Sequence, residues 1–244
     1  MNLAAELEPV SDRAWSPEAR ADLGGWRLNA SRGLSGRINA CWPLAPPDRP
    51  PDEAIAAVEA WYAARGLPPV FKLAQSAVAP DDLAARLQAR GYRSYTETLM
   101  MTGPVEGAAD PGVRVDEALD PAFAAVFAAA GHGDPADTAE RLSALERTPR
   151  PRGFARLDVA GAPAAIGAVA VDGDWAGVFA MRTAADQRRQ GLAWRVFRAL
   201  MDHAARAGAR RAYLQVEAVN APAIALYQRA GFATAYSYLY WTKP

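Results

Sequence analysis

The sequence has few of the residues that build disulfides and structural metal sites. Its 244 residues include one cysteine, Cys41, and two histidines, His132 and His203. A single cysteine excludes a disulfide within the chain and suits a reducing compartment. Together with two histidines it supplies too few ligands for a structural zinc site. We therefore expect no bound metal, and we interpret Cys41 as a small buried apolar side chain.

An excess of charge of one sign and long apolar runs are also missing. Basic and acidic residues number 27 each, and the sequence pI is about 6.8, so no overall field favours nucleic acid. The N-terminal residues lack the basic and apolar regions of a signal peptide. No stretch reaches the roughly 18 consecutive apolar residues of a membrane span. We expect a soluble, cytoplasmic protein with no nucleic-acid or membrane partner, and the sequence leaves its oligomeric state open.

Proline and glycine, by contrast, are present in blocks. Prolines concentrate at residues 43–51, and a Gly/Pro/Ala segment over residues 103–112 is typical of a linker. About half of the residues are apolar, which is enough for one large core or two modest ones. We therefore predict two domains, 1–103 and 104–244.

A basic turn that contains a glycine is the most informative feature of the chain. Residues 187–193, Gln-Arg-Arg-Gln-Gly-Leu-Ala, follow an apolar predicted strand, 175–183, and lead directly into an apolar helix. Such a turn leaves several backbone N–H groups at the positive end of a helix dipole, where phosphate binds. Taken alone, it is equally an ordinary strand-to-helix connection with solvated arginines.

A second segment favours the phosphate interpretation. An apolar predicted strand, 213–219, runs into a predicted helix from residue 221. Together with the turn it resembles the signature motifs of the GCN5-related N-acetyltransferase (GNAT) superfamily. In the R/Q-x-x-G-x-G/A motif of that family, the defined positions are filled by Arg188, Gly191 and Ala193. The motif N-x-x-A-x-x-x-Y-x-x-x-G-F is matched by Asn220, Ala223, Tyr227, Gly231 and Phe232. The resemblance covers roughly residues 110–244.

The resemblance implies an α/β (α+β) fold. Its central sheet is mixed, mostly antiparallel and flanked by helices, and the order of elements is βααβββαβαβ. The hydrophobic pattern of residues 104–244 independently predicts the same order. The two observations therefore agree on a GNAT fold for the second domain.

The first half looks like a weaker copy of the second. When 91–92 is aligned with 231–232, both halves follow the order strand, helix, strand, helix, strand. We predict strands at 25–31, 36–42 and 95–101, a helix that Asp52 caps, and a helix that starts at residues 80–82.

The copy lacks the features that would bind a cofactor. The loop that corresponds to the basic turn, 42–51, is rich in proline, which has no amide hydrogen. Leu87 stands in place of Tyr227, and no asparagine matches Asn220. We expect a degenerate, partial GNAT-like domain without cofactor, which covers the second domain's sheet or forms part of the acceptor cleft.

Binding of acetyl-CoA is what the resemblance implies for the second half. The turn would hold the pyrophosphate, and main-chain groups on the preceding strand would align the pantetheine arm. Asn220 would contact the arm, cap a helix, or do both. The expected cofactor-binding residues are Met181, Thr183, Arg188, Arg189, Gln190, Gly191, Leu192, Ala193 and Asn220.

Two further residues are candidates for catalysis. The phenol of Tyr227 can protonate or hydrogen-bond the coenzyme A thiolate; otherwise it is a buried core tyrosine. An alkylammonium with a pKa near 10.4 must lose a proton before it attacks, and Glu217 is the candidate base. Asp172, Asp174 and His132 are alternatives.

The predicted activity is the transfer of an acetyl group from acetyl-CoA to a primary amine by direct attack. The acceptor would be a small molecule or a peptide, and the sequence leaves its identity and the preferred acyl-chain length open. The alternative is a non-catalytic acyl-CoA-binding or regulatory module.

Overall fold

The structure, a computed structural model, describes residues 2–130 and 134–243. By packing, the chain divides into two compact units. The first unit contains the residues up to Met100, Glu217–Val219 and the residues from Thr234 onward, and the second contains Met101–Val216 and Asn220–Ala233. The last strand therefore packs with the N-terminal half of the chain. Whether residues 1–103 are a degenerate GNAT-like domain stays a prediction.

The elements are numbered in chain order. They are α1 (Leu3–Ala14), β1 (Ala19–Leu23), β2 (Trp26–Ala30), β3 (Cys41–Pro43), α2 (Pro51–Ala63), β4 (Val70–Ala74), α3 (Leu83–Ala89), β5 (Arg93–Pro104), β6 (Val113–Asp116), α4 (Pro121–Ala129), α5 (Pro135–Glu146), β7 (Arg152–Val159), β8 (Ala162–Asp172), β9 (Trp175–Thr183), the 3₁₀ turn Ala185–Gln187, α6 (Leu192–Arg206), β10 (Arg211–Glu217), α7 (Ala221–Arg229) and β11 (Ala233–Thr242).

The first unit is built on strands in the order β1-β2-β3-β4-β11. Neighbouring strands are antiparallel except β3 and β4, which are parallel. Its core is aromatic: Phe71 on β4 makes edge-on ring contacts with Trp26 and Tyr92. The buried side chains of α2 and α3 in this core are Ala54, Ile55, Val58, Tyr62, Leu83 and Leu87.

The second unit has strands in the order β10-β9-β8-β7-β6. Only β9 and β10 are parallel, and the other neighbours are antiparallel. The helices α4 and α6 both pack on β7, β8 and β9. The predicted order βααβββαβαβ is confirmed from β6 to β11, and the strand predicted at 175–183 has those bounds.

The first half differs from the sequence-based prediction in several places. Residues 36–40 are not a strand, because strand pairing begins only at Cys41. Asp52 does not cap α2: the helix starts at Pro51, and Pro50 precedes it without a side-chain cap. The helix α1 and the strand β1 were not predicted.

The segment predicted as a linker is packed structure. β5 continues to Pro104, and beyond it Gly107 lies so close to α6 that a Cβ would come within 2.1 Å of the Asp202 nitrogen. The amide of Ala108 donates to the carbonyl of Arg198 at 3.2 Å. Residues 105–112, which we call the strap, therefore lie against α6. Within the described ranges, no helix combines the length and apolarity needed to cross a bilayer.

Candidate active site

The basic turn ends at a helix start whose amide groups are free. Gly191 is the N-cap of α6 in a left-handed conformation, φ 78° and ψ 4°, and no side chain caps the helix. Arg189 also has a positive φ, 64°. Among the described residues, the amides of residues 191–194 have no hydrogen-bond acceptor, and the first amide of the helix to find one is that of Arg195, 3.2 Å from the carbonyl of Gly191. A row of free amides at the positive end of a helix dipole is an anion-binding arrangement.

The surroundings of the turn leave room for such an anion. A Cβ built on Gly191 meets no atom within 4 Å, so glycine is required there by its φ and not by crowding. Arg188 and Arg189 are exposed, and neither forms an ion pair within the described part of the chain. Arg195, in the first turn of α6, is paired: its guanidinium lies 2.7 Å from the carboxylate of Asp110 in the strap.

β9, the strand that precedes the basic turn, pairs with β10 over only part of its length. Pairing between β9 and β10 ends at Val178 and Leu214, although β9 continues to Thr183. Within the described chain, one edge of β9, from Ala180 to Thr183, therefore has no strand partner in β10. An unpaired strand edge offers main-chain donors and acceptors to an extended ligand.

A β-bulge lies in this same part of β9. The register with β8 moves by two residues from Ala168 to Ile166 while β9 advances by three, from Phe179 to Arg182. Ala180 has a positive φ, 57°. The sulfur of Met181 packs against Gly167 of β8: a Cβ added to Gly167 would come within 2.3 Å of that sulfur. Met181 and Thr183, predicted to contact the pantetheine arm through their main chain, are thus on the open part of β9.

Asn220 caps the helix α7. Its Oδ1 accepts a hydrogen bond from the Ala223 amide at 3.2 Å, and its backbone carbonyl accepts from Ile224 at 3.0 Å. The predicted role of Asn220 as a helix cap is therefore confirmed. Its side-chain amide donors have no acceptor among the described residues, so the contact with a cofactor stays a prediction.

Tyr227 is buried between aromatic rings. Its ring centroid lies 5.7 Å from that of Phe197 on α6 and 6.3 Å from that of Phe232. Burial raises the pKa of Tyr227 to about 12, so the phenol keeps its proton at neutral pH. The hydroxyl makes no hydrogen bond within the described chain. Phe197, which the sequence motifs did not single out, therefore joins Tyr227 to the helix that begins at the basic turn.

The candidate bases lie in different places. Glu217 is the exposed last residue of β10 and belongs to the first packing unit. Asp174 lies in the turn before β9, and Asp172 is the last residue of β8 beside that turn. At ~3.3 Å per residue, Asp174 is about 20 Å along the strand from the bulge at Ala180. His132 is outside the described residues. The structure therefore places neither aspartate at the open end of β9.

Arg182 is a residue of the open strand end that the sequence motifs did not indicate. Its Nη1 donates to the carbonyl of Phe127 at 3.0 Å, and the guanidinium lies 3.8 Å from the centroid of the Phe127 ring. Burial lowers the pKa of Arg182, and the positive charge of Arg141 acts in the same direction. An arginine inside an otherwise apolar strand was the signal that could have revealed it.

The loop of the first half that corresponds to the basic turn is held by its own neighbours. The Gly25 amide donates to the Pro46 carbonyl at 2.8 Å, and the Ala45 amide donates to the Gly25 carbonyl at 3.1 Å. The prolines of this loop supply no N–H groups. The two halves thus differ at the position where the second half has free amides.

Solved structures share this architecture over the whole chain. A GCN5-related N-acetyltransferase from Kribbella flavida aligns with a TM-score of 0.73 and 20% identity, over 100% of this chain and 96% of that one. A tandem GNAT protein from the clavulanic acid biosynthesis pathway aligns with a TM-score of 0.63 and 18% identity, over 99% and 91%. At these identities the matches show the fold, which is the GNAT fold.

Fold and sequence together define the class of this protein as an acetyltransferase of the GNAT superfamily. Within that class, the chain belongs to the family described as "Probable histone acetyltransferase Rv0428c C-terminal", whose profile matches residues 4–241. A relative from Bacillus subtilis (strain 168), "Uncharacterized N-acetyltransferase YobR", is 25% identical over 235 residues, 93% of this chain and 94% of that protein.

Proposed function

We propose that the protein transfers an acetyl group from acetyl-CoA to a primary amine by direct attack on the thioester. The observation that carries this proposal is the row of free amides at the start of α6, next to the unpaired edge of β9. A diphosphate suits the amides, because backbone N–H groups and the helix dipole both favour negative charge. A pantetheine arm suits the strand edge, because its amides can pair with main-chain groups.

Each proposed cofactor contact follows from this arrangement. The amides of residues 189–193 bind the pyrophosphate, and Arg188 adds a positive charge at the rim. The main chain of Met181 and Thr183 pairs with the arm, which the side-chain amide of Asn220 also contacts. The thioester then lies along β9 near the bulge.

The reaction needs a base that takes a proton from the amine and a hydrogen-bond donor that stabilises the departing thiolate. The amine nitrogen attacks the thioester carbon, the C–N bond forms, the C–S bond breaks, and the nitrogen gives up a proton. We assign Glu217 as the base, directly or through water. Because the pKa of Tyr227 is about 12, its phenol acts chiefly by donating a hydrogen bond to the departing thiolate.

The central test compares two glycines that share a backbone conformation. Gly191 and Gly173 both have positive φ, 78° and 57°, and an added Cβ would meet nothing within 4 Å at either. Gly191→Ala and Gly173→Ala should therefore lose similar stability, about 1–2 kcal/mol. Only Gly191→Ala should disturb the amides at α6 and weaken acetyl-CoA binding, by roughly 10- to 100-fold for one or two lost charge-assisted hydrogen bonds.

The measurements are titration calorimetry with acetyl-CoA and a coenzyme A release assay against a panel of amines. The panel includes amino acids, small alkylamines and a lysine-rich peptide, since the family description names a histone acetyltransferase. Absence of binding to the wild-type protein, or equal weakening by both glycine substitutions, would refute the proposal. Tight binding without turnover across the panel would favour a non-catalytic acyl-CoA-binding module.

A further inference from the structure

The guanidinium of Arg182 uses only part of its hydrogen-bonding capacity. An arginine has five N–H donors in a planar fork, and Arg182 engages one atom, Nη1, with the carbonyl of Phe127. That carbonyl is in the last turn of α4, where a positive charge is favourable. The Nε–Nη2 edge has no acceptor within the described chain.

No carboxylate neutralises this half-buried charge among the described residues. Asp137 is the acidic residue whose charge acts on Arg182, but both of its oxygens lie 2.8 Å from Nε of Arg141. Two guanidinium groups therefore share one carboxylate here. A desolvated cation without a counterion is costly, which favours an anion that arrives from outside.

Arg182 stands beside the proposed path of the acetyl donor. It lies between Met181 and Thr183 on the unpaired end of β9. Successive side chains of a strand point to opposite faces. Met181 packs at Gly167 next to α6, so Arg182 is on the other face, against α4. An amine that reaches the thioester from the α4 face would pass the free edge of the guanidinium.

We propose that the acceptor amine carries a carboxylate, which the free Nε–Nη2 edge of Arg182 binds in a two-pronged contact on the α4 face of β9. This inference rests on the proposed function. Such an edge matches the geometry of a carboxylate, with two parallel N–H···O bonds. The acceptor class is therefore a free amino acid or a small amino-carboxylic acid. A lysine-rich polypeptide tail is disfavoured, because its charge has the same sign as the site.

The test uses matched acceptors. Each of the proteinogenic L-amino acids is compared with its own carboxamide in the coenzyme A release assay, which changes the carboxylate and leaves the amine and side chain in place. For the preferred amino acid, we expect kcat/KM to exceed that of its carboxamide at least tenfold. Arg182→Gln should reduce the value for the acid by roughly 10- to 150-fold, the range for lost hydrogen bonds to a charged group. The KM for acetyl-CoA and the turnover of the carboxamide should stay nearly constant.

Two control variants distinguish the loss of the carboxylate contact from a general loss of folding. Arg182→Lys keeps the charge but not the fork, and should show an intermediate preference for the acid. Arg114→Gln removes an exposed arginine of β6 that pairs with Asp116 and should leave the preference unchanged. Equal turnover of acid and carboxamide by the wild type, better turnover of the lysine-rich peptide, or an equal loss for both acceptors in Arg182→Gln would overturn the inference.

A binding measurement separates this inference from the proposed function. If no amine releases coenzyme A, the proposed function fails. Calorimetric titration of the same acid and carboxamide pairs into protein saturated with coenzyme A then decides about Arg182. Binding of the acid that disappears in Arg182→Gln supports the inference, and equal or absent binding of both partners refutes it.

Discussion

At the scale of single residues, Tyr227 combines a buried ring with an available hydroxyl. Phe197 and Phe232 pack beside the ring, and this contact fixes its position relative to α6. The same burial raises the pKa to about 12. The phenol is therefore a hydrogen-bond donor across the whole neutral range, which suits a group that stabilises a thiolate.

Replacing Tyr227 with phenylalanine should lower kcat while stability changes little. The ring contacts remain, but the hydrogen bond to the thiolate is lost, and a hydrogen bond to a charged group is typically worth about 1.5–3 kcal/mol. We expect a fall in kcat of at least tenfold, with KM for acetyl-CoA nearly unchanged, in the coenzyme A release assay. The control is Tyr92→Phe, which removes a hydroxyl bonded to Glu59 at 3.0 Å in the first unit. Similar values of kcat in the two variants would contradict the role of Tyr227.

At the scale of elements, the strap stabilises the start of α6. Asp110 contacts Arg195 with both carboxylate oxygens, at 2.7 and 2.8 Å, and accepts from the Gly112 amide at 2.8 Å. The hydrogen bonds from Arg195 lower the pKa of Asp110 to about 2. The strap thus holds the helix whose first amides form the proposed diphosphate site.

The Asp110 contact should make stability depend on pH in the acid range. The folded carboxyl has a lower pKa, about 2, than an unfolded aspartate near 3.9. It therefore binds fewer protons when folded, and its contribution is complete above about pH 4 and disappears toward pH 2. The melting temperature of the wild type should exceed that of Asp110→Asn at pH 7, and the gap should shrink between pH 4 and pH 2.

The control for this experiment is Glu106→Gln, an exposed acid of the same strap, which should show no such gap. A difference between wild type and Asp110→Asn that stays constant down to pH 2 would rule out the contact as the cause. Thermal melts monitored by circular dichroism at several pH values are sufficient for the comparison.

The elements differ in how well the sequence predicted them. β9 and α6 have regular apolar patterns and were predicted with nearly correct bounds, together with the glycine turn between them. α1 was missed because Glu8 and Asp12 are buried on its inner face, which interrupts the apolar period. These acids are buried because distant residues pair with them: Lys72 with Glu8, and Arg20 and Arg27 with Asp12. Such long-range pairing is not visible in a local pattern. For Arg182 the local pattern shows an arginine in an apolar strand, but not the contact with α4.

At the scale of the whole molecule, the first packing unit joins α1 and β11, which are far apart in the sequence, through side-chain contacts. Lys72 Nζ lies 2.7 Å from Glu8 Oε2, and both side chains are almost fully buried. Tyr236 on β11 donates to the other oxygen of Glu8 at 2.7 Å. The Lys72 ammonium also lies over the rings of Trp42 and Tyr238. α1, β4 and β11 therefore meet at one charged pair.

Breaking this pair on one side only should be strongly destabilising. Lys72→Met leaves a buried carboxylate and Glu8→Gln leaves a buried ammonium, and each should cost about 3–5 kcal/mol. The double variant buries no unpaired charge and should cost much less than the sum of the two. Urea unfolding of the four proteins measures the coupling. Additive losses would mean that the two charges do not depend on one another.

The extra residue in β9 leaves the side-chain alternation of the strand intact on both sides of the bulge. Phe179 pairs with Ala168 and Arg182 pairs with Ile166, so these two residues point to the same face although three positions separate them. Deleting Ala180 would restore an unbroken ladder with β8, and Met181, Arg182 and Thr183 would keep their neighbours and their faces. A single-codon deletion would therefore remove the one positive-φ residue of β9, Ala180, and leave both walls of the cleft in place.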